Sequence, residues 1–573
     1  MSPPRRRRSA ARERHVDRRL RLLLAVLVLL FAASLGRAVW LQGVQAGSLS
    51  RLAAGQHRQT VDVPARRGTI YDRTGSELAL GERATTVYAD PRQVRSPRVV
   101  ARLAARELGA DEETLLGRLA DRTRGFVYLA RQADPERAAA LERHKLAGVG
   151  FLPEERRAYP QHSLGAHVLG YAGVDNRGLA GLERAMDGVL SGRAGEQTVV
   201  RDPFGRAIDV VSSTPERDGR DVWLTLDHNL QANAEAVLRE TVIRWRARSA
   251  SAIVLDPHSG SVLAMAVSPR FDANRFGSTP PDVTRNRALT DVYEPGSTFK
   301  LITVAGVLSE RLVSPSTTFE LPYSIRVADR TIHDSHERGT ETMTVNEILA
   351  VSSNVGTVRL AEILGRTRLA RWIDRFGFGR PTGVDFPGEE GGIVLPAEKW
   401  SGSTIGNVPI GQGIGVTAMQ MAAAYASVAN GGVLVQPHLV RQVGPARPAR
   451  PKRRRIMSPR VARTVVHMLR GVVLEGGTGT EAAIPGYSVA GKTGTAEKPG
   501  PNGYGTNKYV ASFVGFVPAS KPRLVVLVTV DEPKGIIWGG VVAAPAFAEI
   551  ARFGLQYLEV PPDAPLTSAG TAG

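Results

Sequence analysis

The chain contains no cysteine, which excludes disulfides, thiol catalysis and zinc–thiolate sites. Neither an H-E-x-x-H pattern nor any other cluster of metal ligands is present, and there is no G-x-x-x-x-G-K-[ST] phosphate loop, so no metal and no cofactor is expected. Aromatic residues make up only 6% of the chain and do not interleave with the scattered arginines. The formal charge of +19 therefore fits an anionic membrane or cell-wall polymer better than a nucleic acid. Lysine is scarce as well, at nine of the 74 basic residues. Where almost all positive charge is written as arginine, a retained lysine marks a place that needs an amine able to give up its proton. Lys300 and Lys492 are the two such places to explain.

At 573 residues the chain is too long for one ordinary core, and two or more soluble domains are expected. Residues 1–21 form a basic tail that includes Arg5 to Arg8. Leu22 to Gly36 is uncharged and leucine-rich, and with Arg37 reaching back to the interface it extends to Val44, long enough to span a bilayer. The tail holds its own side in the cytoplasm and puts the rest outside. A signal peptide cleaved after Val44-Gln-Ala46 is the competing reading. Residues 45–218 read as a spacer domain, or pedestal, containing two specified stretches: Arg67-Gly-Thr-Ile-Tyr-Asp-Arg-Thr-Gly75, and Arg157-Ala-Tyr-Pro160 followed by His167 to Gly173. Asp72, Arg73 and Gly75 suit a turn with a surface ion pair, and His162 and His167 suit packing or surface positions rather than metal ligation. Pro215 to Arg220 reads as a polar linker.

From Asp221 the pattern becomes α/β. Val222 to Leu226 reads as a strand, His228 to Ile243 as an amphipathic helix, and Ala252–Leu255 with Val262–Val267 as a hairpin. A mostly helical middle follows, and Val510–Val517 with Leu524–Val530 form a closing hairpin. The expected fold is an antiparallel sheet assembled from both ends of residues 221–557, flanked by helices. Arg447 to Arg455 reads as an exposed loop, with lipid or polymer contact as the alternative, and residues 558–573 as a disordered tail.

Within this region, Glu294-Pro-Gly-Ser-Thr-Phe-Lys300 places a serine at the mouth of an apolar helix and a lysine one turn further in, on the same face. A serine hydroxyl becomes a useful nucleophile when a base takes its proton, and lysine is a base only where burial or another cation lowers its pKa. Alone the pattern fits a capped core helix equally well. Two more motifs follow in order. Ser352-Ser-Asn354 separates two apolar-periodic runs, as at a helix–helix corner. Lys492-Thr-Gly-Thr495 follows the strand-like run Tyr487 to Ala490 and offers small residues along an edge where an extended peptide could lie.

Together S-x-x-K, S-x-N and K-T-G form the motif set of penicillin-recognising serine acyl-enzymes. From about residue 20 to 555 the chain resembles the class B penicillin-binding proteins, with a basic tail, one span, a pedestal carrying Arg67 to Arg73, and a transpeptidase domain of the penicillin-binding α/β (α+β) fold. Glu294 and the form Ser352-Ser-Asn-Val-Gly356 are most similar to the cell-division branch, and Gly411 to Thr417, Gly491 to Glu497 and Asp531-Glu-Pro533 fit the same family. The resemblance implies D,D-transpeptidation of peptidoglycan, with Ser297 as nucleophile, Lys300 as its base, Ser352 relaying a proton with help from Lys492, and Asn354 holding Lys300 and a substrate amide. Ser353, Thr493, Gly494 and Thr495 would line the substrate strand, with the two threonines on the terminal carboxylate. It also implies stem peptides and lipid-linked nascent glycan as substrates, β-lactams as inhibitors, a SEDS-type glycosyltransferase and other division proteins as partners, and septal wall synthesis as the setting. Elongation or sporulation duty is the alternative within the family. A carboxypeptidase or β-lactamase would use water instead of an amine, and no E-x-x-L-N stretch is present to activate one. A division scaffold with a vestigial site is disfavoured by three intact motifs.

Overall fold

The computed structural model describes residues 9–45, 47, 58–201, 207–446, 450–501 and 503–565. Arg5 to Arg8, Ala46 of the possible cleavage site, residues 447–449 of the Pro/Arg run and residues 566–573 of the tail lie outside the described residues. The chain divides into two compact units, residues 1–65 with 193–217, and residues 66–192 with 218–573.

The first unit holds the helix Ser9–Val39, which continues as a π-helical turn to Val44. Its stretch Arg18–Val44, 27 residues, is long and apolar enough to cross a membrane. The same unit has a three-stranded antiparallel sheet in which Gly195–Arg201 lies between Arg58–Val63 and Ala207–Thr214.

In the second unit the central sheet is antiparallel, with strands β1 (Ser249–Leu255), β2 (Val262–Ser268), β5 (Ala490–Glu497), β6 (Tyr509–Val517) and β7 (Leu524–Asp531) in the order β2-β1-β7-β6-β5. A small two-stranded sheet, β3 (Val433–Val435) with β4 (Arg453–Arg455), stands apart. Every residue of β1 and β2 is buried, because the sheet is covered on both faces. Ala252, Val254, Val526 and Val528 face helices α1 (His228–Trp245) and α8 (Ala544–Tyr557), whose Leu230, Ala234, Phe547 and Ile550 complete one core. Ile253, Leu255, Val525 and Leu527 face the other way, into a larger core with α2 (Lys300–Ser309), α4 (Asn354–Leu364), α5 (Arg366–Phe376), α6 (Ala418–Ala429) and α7 (Pro459–Gly471). The period-two alternation of strand side chains thus feeds two cores from one sheet. Between α2 and α4 lies α3 (Val345–Ala350).

Several local expectations change in the structure. The middle is not only helical, since Thr318–Leu321 pairs with Glu341–Thr344 and Ser324–Val327 with Arg330–His333. Arg453–Arg455 is a strand rather than a loop. Val222–Leu224 does not join the central sheet: it pairs in parallel with Ile70–Tyr71 of the Arg67 motif and antiparallel with Val440–Val443. The polar stretch after Pro215 is tied down too, with the Gly219 N–H donating to Arg66 O and the Arg220 N–H to Val189 O. Asp72 is fully buried rather than at the surface. It accepts from the backbone of Thr74 and Ser76, and its Oδ2 lies 2.6 Å from His228 Nδ1. His167 is a core histidine, buried with its Nε2 2.8 Å from Val283 O; burial lowers its pKa to about 4.

Candidate active site

Pro295 and Gly296 bend the chain into a single 3₁₀ turn, Gly296–Phe299, which hands over to α2 at Lys300. Gly296 sits at φ +55°, in the left-handed region that favours glycine, and a Cβ there would come 3.0 Å from Thr495 O. On the other side, Gly296 N–H donates to Gly411 O (3.1 Å), and a Cβ on Gly411 would fall 2.1 Å from Gly296 O. The serine turn is thus clasped between β5 and the Gly411 loop, both approaching as bare backbone. Glu294 reinforces the clasp by accepting from Gly413 N–H (2.9 Å) and from the Tyr504 hydroxyl (2.8 Å to Oε2).

Ser297 stays partly exposed, whereas Lys300 has no exposed surface. The Lys300 amine donates to Ser352 O (2.5 Å) and Asn354 Oδ1 (2.7 Å) and lies 3.1 Å from Ser352 Oγ. Asn354 is oriented by its own Nδ2, which donates to His333 O at 2.9 Å, so its oxygen faces the lysine. A neutral amine has two N–H donors and one lone pair; the two carbonyl oxygens take both donors, and the lone pair is left for a hydroxyl proton. Burial lowers Lys300 to a pKa of about 7, against a weaker upward pull from Asp334.

Ser352 turns the corner between α3 and α4 at φ +64°, a left-handed conformation that costs a non-glycine residue about 1 kcal/mol or more. That conformation sets both its carbonyl and its hydroxyl on the Lys300 amine. The corner is held by Asp334, whose Oδ1 accepts from the N–H groups of Asn354 (2.6 Å) and Val355 (3.0 Å), while Ser353 Oγ donates to its Oδ2 at 3.0 Å and Arg338 pairs with it at 2.6 Å. Ser353 lies at the N-cap of α4, buried, with its hydroxyl also accepting from Gly356 N–H. It faces Asp334 and not the cleft, so its part is to position Asn354.

The third motif lies within β5 itself, not after it. This is the edge strand of the central sheet, so every other backbone group along it is free to face the serine turn. Lys492 is fully buried, with its Nζ 3.3 Å from Thr493 Oγ1, and burial together with repulsion from Lys300 pushes its pKa well below the ordinary lysine value. Thr493 Oγ1 shares a hydrogen bond with Thr478 Oγ1 (2.8 Å), and Thr495 Oγ1 accepts from Gly539 N–H (3.0 Å). A Cβ on Gly494 would meet Pro295 O at 2.9 Å, Thr298 Cγ2 at 3.0 Å and Ser512 Oγ at 2.4 Å. Gly494→Ala is therefore expected to push β5 off the serine turn and slow penicillin acylation roughly tenfold or more, since displacements under an ångström suffice for such losses. Stopped-flow acylation kinetics check it.

The structure brings the serine turn, the Ser352 corner and β5 together: Lys300 meets Ser352 and Asn354, Lys492 lies near enough to be repelled by Lys300, and Gly494 packs on the turn, on segments more than fifty residues apart in the chain. Asp334 and Thr478 were not marked by any motif. Asp334 stands in His333-Asp-Ser-His336 with no spacing that ties it to Asn354, and only the fold reveals its place.

A turn-borne serine three residues before a buried lysine, packed on a sheet edge, is an arrangement that acyl transfer could use. Comparison with known proteins gives the family. Residues 250–552 match the penicillin binding protein transpeptidase domain family and residues 62–224 the penicillin-binding protein dimerisation domain family. The chain is 35% identical over 554 residues to peptidoglycan D,D-transpeptidase FtsI of Escherichia coli K12, covering 95% of this chain and 93% of that one. It is 34% identical over 561 residues to stage V sporulation protein D of Bacillus subtilis, covering 96% and 87%. Among solved structures, penicillin binding protein 3 of Mycobacterium tuberculosis in complex with aztreonam matches at a TM-score of 0.70 and 31% identity, covering 89% of this chain and all of that one. The chain belongs to the class B penicillin-binding protein family of peptidoglycan D,D-transpeptidases.

Proposed function

We propose that the protein is a membrane-anchored serine D,D-transpeptidase that cross-links peptidoglycan stem peptides through an acyl-enzyme on Ser297, during septal wall synthesis. The observation that carries this reading is the fully buried Lys300 amine, one turn from Ser297, with both its N–H groups engaged by Ser352 O and Asn354 Oδ1.

The stem peptide lies antiparallel along the free edge of β5, with its terminal carboxylate on the hydroxyls of Thr493 and Thr495. Lys492 supplies positive charge beside that carboxylate, and the same charge disfavours a proton on Lys300. Ser297 Oγ then attacks the penultimate D-alanine carbonyl while its proton passes to Lys300 Nζ. The oxyanion is met by backbone N–H groups of Ser297 and Thr495, at the point where Gly296 lets the strand close on the turn. Collapse breaks the C–N bond, and the proton leaves through Ser352 Oγ to the departing D-alanine amine. Lys300 next takes a proton from the acceptor amine, which attacks the ester and releases Ser297. A β-lactam enters by the same first steps and remains attached.

The catalytic base must be neutral, and its pKa of about 7 fixes the sign of the pH dependence. Acylation by penicillin is expected to slow about tenfold per unit as pH falls below 7, and to level off above about pH 8. A rate independent of pH between 5 and 8 would remove Lys300 as the base. The adduct itself is the direct test: after incubation with benzylpenicillin, peptide mass spectrometry should place one acyl group on Ser297, and Ser297→Ala should carry none.

The proposed anchor is Leu22–Val44 with the N-terminus cytoplasmic, the pedestal is residues 45–218 and the transpeptidase domain residues 221–557. Glu294 and Ser352 to Gly356 support the division branch, and a fluorescent fusion should gather at the septum. Because the proposed site transfers acyl groups and polymerises no sugar, lipid-linked glycan reaches it from a SEDS-type glycosyltransferase, for which the span and Arg67 to Gly75 are the proposed contact. Substitutions at the exposed positions of that stretch should weaken co-purification with the polymerase.

A further inference from the structure

A cleft of about 390 Å³ opens between the C-terminal end of α5, helix α6 and the paired strands β3 and β4. Its residues belong neither to the serine turn nor to the other two motifs. The size falls at the small end of ligand pockets, which run from roughly 300 to 1,000 Å³. Phe376, Ala423 and Leu434 give it an apolar floor, and Arg380, Lys452, Arg453 and Arg454 stand at its mouth.

Three of the four cations at that mouth have no carboxylate partner among the described residues. Arg380 is paired with Asp374 at 2.7 Å, but no carboxylate among the described residues lies within ion-pair distance of Lys452, Arg453 or Arg454. The two guanidiniums are instead anchored on neutral oxygens: Arg453 donates to His258 O (2.9 Å) and Arg454 to Arg375 O (2.8 Å). Each is therefore held in place with its charge unpaired and its other N–H groups without a partner among the described residues. The cationic surface also continues beyond the cleft. Arg368, Arg371 and Arg375 follow helical spacing along the exposed side of α5, next to the face that buries Leu369, Trp372 and Phe376, and Arg375 lies over the Trp372 ring at 5.0 Å. Seven residues of helix carry this stripe about 10 Å to the end of α5, where Arg454 takes over.

We infer that the cleft and the α5 stripe form a binding site for a linear polyanion whose repeating charge is a phosphodiester. A single small anion would meet one or two of these cations; a chain with a charge at each repeat engages them in series. Guanidinium forks match phosphate oxygens, and the apolar floor suits the carbon backbone of a repeat unit. A lipid surface is disfavoured because no large apolar side chain protrudes at the cleft mouth, where Leu434 is half-buried and Phe376 and Val435 are buried.

The test uses the full chain in neutral detergent micelles and a fluorescent poly(glycerol phosphate) of about ten repeats, followed by anisotropy. The triple variant Lys452→Ser, Arg453→Ser, Arg454→Ser should weaken binding at least tenfold. A control that removes the same charge from exposed pedestal positions, Arg98→Ser, Arg122→Ser, Arg143→Ser, should change it less than twofold. Both variants should still take up fluorescent penicillin at the parent rate, which shows that they are folded. Equal weakening by the two triples, no binding by the parent, displacement by polyglutamate of equal length, or displacement by phosphatidylglycerol in the micelles at equal phosphate would each overturn the assignment.

Discussion

Lys300→Arg is expected to lose penicillin acylation by about a thousandfold or more, although it keeps a positive charge and a long side chain. A general base contributes roughly 10²–10⁴ in rate, and arginine cannot act as one because its guanidinium stays protonated at any working pH. The site has no room to absorb the change. Lys300 has no exposed surface, and its amine fits among Ser352 O, Ser352 Oγ and Asn354 Oδ1 at 2.5–3.1 Å. A planar fork of five donors would meet three oxygens arranged for a compact amine and leave no lone pair toward Ser297. Its fixed charge would also sit beside Lys492, whose pKa the lysine already depresses. The measurement is the second-order acylation rate with fluorescent penicillin, alongside a thermal scan to show that the variant is folded. Normal labelling would show that the serine is activated by another group.

This prediction could be written from the sequence, because S-x-x-K spacing and lysine scarcity both single out Lys300. Much of what would make the lysine a base could not. The left-handed φ of Ser352, which aims two oxygens at the amine, follows from how α3 and α4 pack, and serine itself carries no sign of it. Asp334 braces that corner from twenty residues away with no motif to announce it. Register was also illegible at β5. Gly491 to Thr495 holds two glycines, a lysine and no large apolar side chain, so pattern reading stopped the strand at Ala490 and put the motif after it. The strand forms because β6 pairs with it from Ala490↔Phe516 to Glu497↔Tyr509, and small residues are what allow the serine turn to close on its edge. The runs of β1, β6 and β7 were legible for the opposite reason: a sheet buried on both faces needs continuous apolar sequence.

The second large effect lies where the two stretches that read as specified in the spacer region, Arg67 to Gly75 and Arg157 to Pro160, meet. Glu183 is fully buried and bridges two arginines from distant segments. Its Oε2 accepts from Arg67 Nε at 2.7 Å, and its Oε1 from Arg157 Nε at 2.6 Å. Arg67 also reaches Asp187 at 2.7 Å and donates to Asn176 O, while Arg157 donates to Gly68 O. Glu183→Leu removes the only carboxylate on Arg157 among the described residues and leaves that guanidinium buried beside leucine. Removing one partner of a buried ion pair costs about 3–5 kcal/mol, so the denaturant midpoint should fall by a large part of the whole stability. Replacing all four, Arg67→Met with Arg157→Met, Glu183→Leu and Asp187→Asn, should recover much of the loss, because no unpaired charge of the cluster then remains. The cluster touches none of the groups around Ser297, so material of either variant that remains folded should take up penicillin at the parent rate. A midpoint shift below about 1 kcal/mol for Glu183→Leu would mean that water reaches Arg157 and that these side chains are not the brace of the pedestal.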